Sequence, residues 1–182
     1  MHTFLLVVAL FCAVLIATPG HAEMEKTATV CDKGICPHWW PKLAPPLGWV
    51  HDREHSYLYN INALAPEGKS FADAETVMYA NAVYKPRVPD SRTLAEFVDG
   101  DHHSFKEKSP GLEIETDQVL RTKDGTLAKT WRMKPKSVGQ WERIAYFEED
   151  EYYMVFVISA RTARGLVVSM QSFEALVASY VR

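Results

Sequence analysis

Tyr152-Tyr-Met-Val-Phe-Val-Ile158 is apolar at every position, not at alternate ones. A strand with one wet face alternates, whereas a short continuous apolar run reads as a strand covered on both faces. The stretch therefore predicts a central strand over about 152–160, with neighbours on both sides and a layer on each face. The rest of the chain supplies those neighbours.

Upstream, Glu149-Asp-Glu151 marks a short turn, and 141–149 reads as the strand that leads into it. Strands are also expected at about 112–121 and 126–134, joined at Lys123-Asp-Gly125, where Asp-Gly supplies the positive φ of a tight turn. Before them the period changes. Thr93 followed by Glu96 makes a capping box, and Leu94, Phe97, Val98, His102 and Phe105 fall on one helical face. That helix should end near Ser109-Pro-Gly111. Two earlier strands are expected. One is Ser56–Ala65, with Tyr57, Tyr59, Ile61 and Ala63 alternating, followed by a Pro66-Glu-Gly68 turn. The other is Thr76–Tyr84, ending at Lys85-Pro86. At the far end, 166–181 places Met170, Phe173, Val177 and Tyr180 on one stripe of a closing helix. The expected fold is α+β: an antiparallel sheet of about six strands with helices on both faces.

This order, with Leu64-Ala-Pro-Glu-Gly68, Thr93-Leu-Ala-Glu-Phe97, the Lys123-Asp-Gly125 turn, Ala145-Tyr-Phe147 and Phe173-Glu-Ala-Leu-Val177 with Tyr180, resembles the PsbP/Mog1-like α/β/α sandwich superfamily in its bacterial secreted branch. The resemblance covers about residues 48–182. It implies a binding or assembly accessory without catalytic apparatus, and it transfers no functional residue.

Phe4–Ala17 is apolar apart from Cys12, and Thr18-Pro-Gly-His-Ala-Glu23 follows, with Gly20 and Ala22 at the −3 and −1 positions. That pattern reads as a secretory signal peptide over 1–22, cleaved after Ala22. The run is shorter than the roughly 20 apolar residues of a membrane span. Its n-region lacks Lys and Arg, so a retained anchor is the rival reading. Nothing before Cys12 fits a lipidation site. The chain thus divides into 1–22, a Pro/Trp-rich segment over 23–47 read as irregular, and one domain over 48–182, in a periplasmic or secreted location. A net charge of −3, with acids and bases mixed, argues against a nucleic-acid partner.

Cys31 and Cys36, in Cys-Asp-Lys-Gly-Ile-Cys, read as a disulfide in an oxidising compartment. Adding His38 makes only three ligands, one short of a structural zinc site. Beyond them, Pro37, Pro41, Pro45 and Pro46 surround Trp39 and Trp40. The two tryptophans are candidate binding residues, with capping of the domain edge as the alternative.

His51-Asp-Arg-Glu-His55 matches the His-x-x-Glu-His pattern of zinc proteases, which needs both histidines one turn apart on a helix. Here the motif precedes an expected strand, where residues four apart stand about 13 Å apart, so it reads as chance. Asp101-His102-His103 reads as a hydrogen-bonded histidine beneath the sheet. No catalytic residue, metal or cofactor is assigned. Ser159 ends the central strand with no histidine downstream. The expected function is an exported, non-catalytic binding or assembly-accessory module acting through contacts with an envelope protein partner, without a stable membrane span after cleavage. Two alternatives stand beside it: a zinc-dependent hydrolase using His51, Glu54 and His55, and a carrier with a small-ligand pocket between sheet and helices.

Overall fold

The computed structural model describes residues 24–31, 34–137 and 139–181, with only the backbone of Cys31. The expected signal peptide and its cleavage after Ala22 lie outside the described residues. The fold is α+β, as expected, but its antiparallel sheet has nine strands. They are β1 (Glu25–Cys31), β2 (Gly34–Trp40), β3 (Trp49–His51), β4 (Asn62–Pro66), β5 (Thr76–Tyr84), β6 (Glu113–Arg121), β7 (Leu127–Lys134), β8 (Trp141–Glu149) and β9 (Tyr152–Ala160). Three helices accompany them: α1 (Arg53–Tyr59), α2 (Leu94–Lys108) and α3 (Ala163–Ser179).

The sheet runs β1-β2-β5-β9-β8-β7-β6, with β3 on β4 and β4 on β5. β9 is central, as its composition requires: it pairs along its whole length with β5, Thr76↔Ala160 to Tyr84↔Tyr152, and with β8, Trp141↔Ala160 to Glu149↔Tyr152. Asp150, at φ 47°, makes the tight turn between β8 and β9.

The three strands beyond six are β1, β2 and β3. The proline-rich segment folds as a hairpin over 25–40, with Pro37 opposite Ala28. Among the described residues its one backbone pairing with the body of the sheet is Trp39↔Ala82. At Pro37 the strand therefore has a neighbour on one side alone, the edge position where a missing N–H is tolerated.

The expected strand over Ser56–Ala65 is instead a helix followed by a shorter strand. The Asp52 carboxylate accepts from the His55 N–H at 3.1 Å, and Ser56 Oγ donates to the Asp52 carbonyl at 2.6 Å. Asn60, left-handed at φ 58°, ends α1. The apparent alternation of Tyr57 and Tyr59 marks no buried face, since Tyr57, Leu58 and Tyr59 are all more than half exposed.

Two core clusters divide β9 residue by residue. Met154, Phe156, Ile158 and Ala160 pack with Leu166, Phe173, Leu176 and Val177 of α3. Val155 and Val157 pack with Val98 of α2, with Leu94, Phe97 and Phe105 against them. Arg143, fully buried, ties β8 to its neighbours: Nε lies 2.8 Å from Asp117 on β6, and Nη1 donates to Glu174 on α3 at 2.7 Å. Among the described residues no helix is long and apolar enough to cross a membrane.

Candidate functional site

Register places Val77, Ser159 and Glu142 in one row across β5, β9 and β8. Tyr79 stands two residues further along β5, on the same side of the strand. Ile144, Tyr146, Val155 and Val157 pack in the α2 cluster. Over that row a cleft of about 520 Å³ opens, walled by Tyr59, Ile61, the 71–75 loop, Gln140 and Arg161. Its size falls within the range of small-molecule sites, about 300–1,000 Å³.

The aromatic wall is built by Asp52. Its Oδ2 accepts from the Phe71 N–H at 2.7 Å and from His55 Nδ1 at 2.8 Å, so one carboxylate joins α1 to the 71–75 loop. Burial opposes the Asp52 charge, but the Phe71 and His55 donors outweigh it and hold this carboxyl below its ordinary range. The His55 ring stacks on Tyr59 and Phe71, with centroids 6.0 and 6.2 Å away. Phe71 in turn meets Tyr59 at 5.7 Å and Tyr79 edge-on at 6.1 Å. Three rings thus line one side of the cleft.

The floor is acidic. Burial raises the Glu142 carboxyl above the ordinary range, and the Asp101 charge adds to this, while a hydrogen bond from Ser159 works against it. The Tyr79 phenol is pushed strongly upward, first by burial and then by Glu142 and Asp101. At the rim, Glu75 accepts from Thr162 Oγ1 at 2.6 Å, and Arg161 Nη2 donates to the Ala72 carbonyl at 2.6 Å. Among the described residues no histidine, cysteine or lysine lines the cleft. Ser159 is paired with the Glu142 carboxyl across the cleft floor.

No family model matches this chain, and a search of the curated proteins finds no match either.

The residues singled out from sequence are scattered around this cleft. His51 ends β3, where its Nδ1 meets Asn62 Oδ1 at 3.1 Å and its Nε2 meets the Leu43 carbonyl at 3.2 Å. Both ring nitrogens thus face oxygen acceptors, and a neutral imidazole donates to one of the two at a time. Glu54 is exposed on α1, and His55 lies on that helix, which continues to Tyr59 through the start of the strand expected from Ser56. Among the described residues no three His, Cys, Asp or Glu side chains are grouped to hold a metal.

His102 lies under the sheet, edge-on to Trp131 at 5.2 Å and to Tyr146 at 6.1 Å. The expected hydrogen bond is absent at its buried Nε2 among the described residues. Asp101 instead accepts from Tyr146 Oη at 2.6 Å, and the exposed His103 faces Glu107 at 3.2 Å.

Trp40 is fully buried, with its ring 5.3 Å from Tyr57. Trp39 is half-buried between Tyr84 and Tyr152, with the Arg87 guanidinium 4.4 Å above it. Cys36 is not a free thiol. The Cys31 side chain lies outside the described residues.

Tyr79, Glu142 and the Glu142–Ser159 pairing were not anticipated as a site. A signal was present: counting back from the Asp150-Glu151 turn puts Glu142 opposite Ser159, two polar residues facing each other at the far end of the hairpin.

Proposed function

We propose that this chain is an exported binding module of the cell envelope that holds a small molecule in the cleft between β5, β9, β8 and the 71–75 loop. The observation that carries the reading is the 520 Å³ cleft with a desolvated carboxyl on its floor and three rings on its wall. Among the alternatives read from sequence, the small-ligand carrier gains most support. The hydrolase has the least, since His51 and His55 lie on different elements, β3 and α1, with the His51 ring set against Asn62 and the Leu43 carbonyl.

The division of β9 between an α3 cluster and an α2 cluster supports an arrangement with helices on both faces, in the manner of the PsbP/Mog1-like sandwich. Engagement of Cys36 supports the Cys31–Cys36 bond and, with it, an oxidising compartment.

A second reading, contact with an envelope protein partner, is favoured by the hairpin. Val30 and Ile35 face each other across it, 90% and 77% exposed. Native mass spectrometry of the protein purified from its own host's envelope separates the two. A co-purified small molecule, lost on Phe71→Ala, is the expected result. A bare small-molecule-free protein carrying a stoichiometric protein partner would replace the carrier with the contact module. The same spectrum reports cleavage after Ala22 and the two hydrogens lost to the disulfide.

A further inference from the structure

We infer that the ligand of the cleft is an organic cation, an ammonium or guanidinium carried on an apolar body; this rests on the carrier reading above.

Three features of the site converge on a positive charge. Tyr59, Phe71 and Tyr79 present a chain of rings with successive centroids 5.7 and 6.1 Å apart. Ring faces attract a desolvated cation, and adjoining rings make part of a cage for one. Glu142 and Glu75 both line the cleft, against a single guanidinium, Arg161. That guanidinium is already drawn to the Ala72 carbonyl, 2.6 Å from its Nη2. Asp101, hydrogen-bonded to Tyr146 beneath α2, adds a third negative charge behind the floor.

The energetics favour the same ligand. A carboxylate taken out of water is costly unless a partner compensates it. Among the described residues Glu142 has the Ser159 hydroxyl, a neutral donor, as its partner, and Asp101 is the charge that acts on it. An incoming ammonium supplies the missing charge, and an anion would meet Glu142, Glu75 and Asp101 with only Arg161 in its favour. The hydrocarbon body of the ligand lies along Ile61, Val77 and the rings.

The test is isothermal titration of the full mature chain with three probes of one size: 2-phenylethylammonium, 2-phenylethanol and phenylacetate. The cation is expected to bind, with the alcohol and the anion at least tenfold weaker. Glu142→Gln should then lower the cation's affinity by about ten- to a hundredfold, the loss of one charge-assisted contact. Its circular dichroism should match the parent's. Phe71→Leu, which keeps bulk and removes the ring, should weaken the cation and leave the alcohol unchanged. Equal or tighter binding of phenylacetate or phenylethanol overturns the charge assignment and leaves the carrier reading in place. Failure of all three overturns the assignment too. The carrier reading then stands or falls on the co-purified molecule.

Discussion

At the residue scale, two partly buried ionisable groups, Glu142 and His102, pull stability in opposite directions with pH. Glu142 holds its proton more tightly in the folded chain than in the unfolded one. Between the ordinary carboxylate range and its raised folded value, the folded state binds more protons. Stability is therefore lost as pH rises through that window, and it stays lost above it. Glu142→Gln removes the loss: its melting temperature should exceed the parent's near neutral pH, with the gap closing towards about pH 4. Equal melting temperatures at both would show that the carboxylate bears no burial cost.

His102 works the other way. Burial lowers its affinity for a proton, Lys106 adds to this, and Asp101 and Asp99 oppose it only in part. The unfolded chain takes up the proton first, so its contribution is present above the ordinary histidine value and lost as pH falls below it. His102→Phe should keep the contacts with Trp131 and Tyr146 and flatten the drop in melting temperature between about pH 7 and pH 5. A drop as steep as the parent's would place the acid sensitivity elsewhere, with His38 the next candidate.

At the element scale, most of the fold was legible because its elements carry their own punctuation. The Thr93 capping box, the Gly125 turn and the continuous apolar run of β9 each have a local physical cause, and those elements stand where the residues put them. The elements that were misread are held by contacts distant in sequence or by a cap hidden in another motif. Asp52 starts α1 and also holds Phe71, nineteen residues away, a role that no local pattern announces. The hairpin over 25–40 hides behind its prolines, which an edge strand tolerates.

The site was the least legible part. Its members come from α1, the 71–75 loop, β5, β8 and β9, and only the sheet register brings them together. Asp52→Ala tests this element directly. Loss of the cap should cost about 1–2 kcal/mol, and loss of the Phe71 tether should weaken binding in the cleft more than the modest fall in stability explains. Unchanged binding would detach the α1 junction from the site.

At the scale of the whole molecule, the sheet is locked by one buried cation and one buried tryptophan. Arg143 joins β6, β8 and α3 through Asp117 and Glu174, and none of its side chain is exposed. Arg143→Met removes one partner from each of two carboxylates, Asp117 keeping Arg132 and Glu174 keeping Gln118, at a cost of about 1–3 kcal/mol. Adding Glu174→Gln should restore part of that loss in a denaturant melt. A single variant as stable as the parent would show that the network is replaceable by packing alone.

Trp40 plays the matching role for the hairpin, whose backbone pairs with the body of the sheet at Trp39↔Ala82. Cutting the ring back in Trp40→Ala should cost about 3–5 kcal/mol. Amide exchange should then report a hairpin opened ahead of β9.

The most direct test of the account is amide chemical-shift mapping of the ¹⁵N-labelled mature chain titrated with 2-phenylethylammonium. The account predicts saturable shifts gathered at Phe71, Glu75, Tyr79, Glu142 and Ser159, with β6 and the Val30–Ile35 tip unmoved. Shifts confined to the hairpin, or spread evenly without saturation, would contradict it.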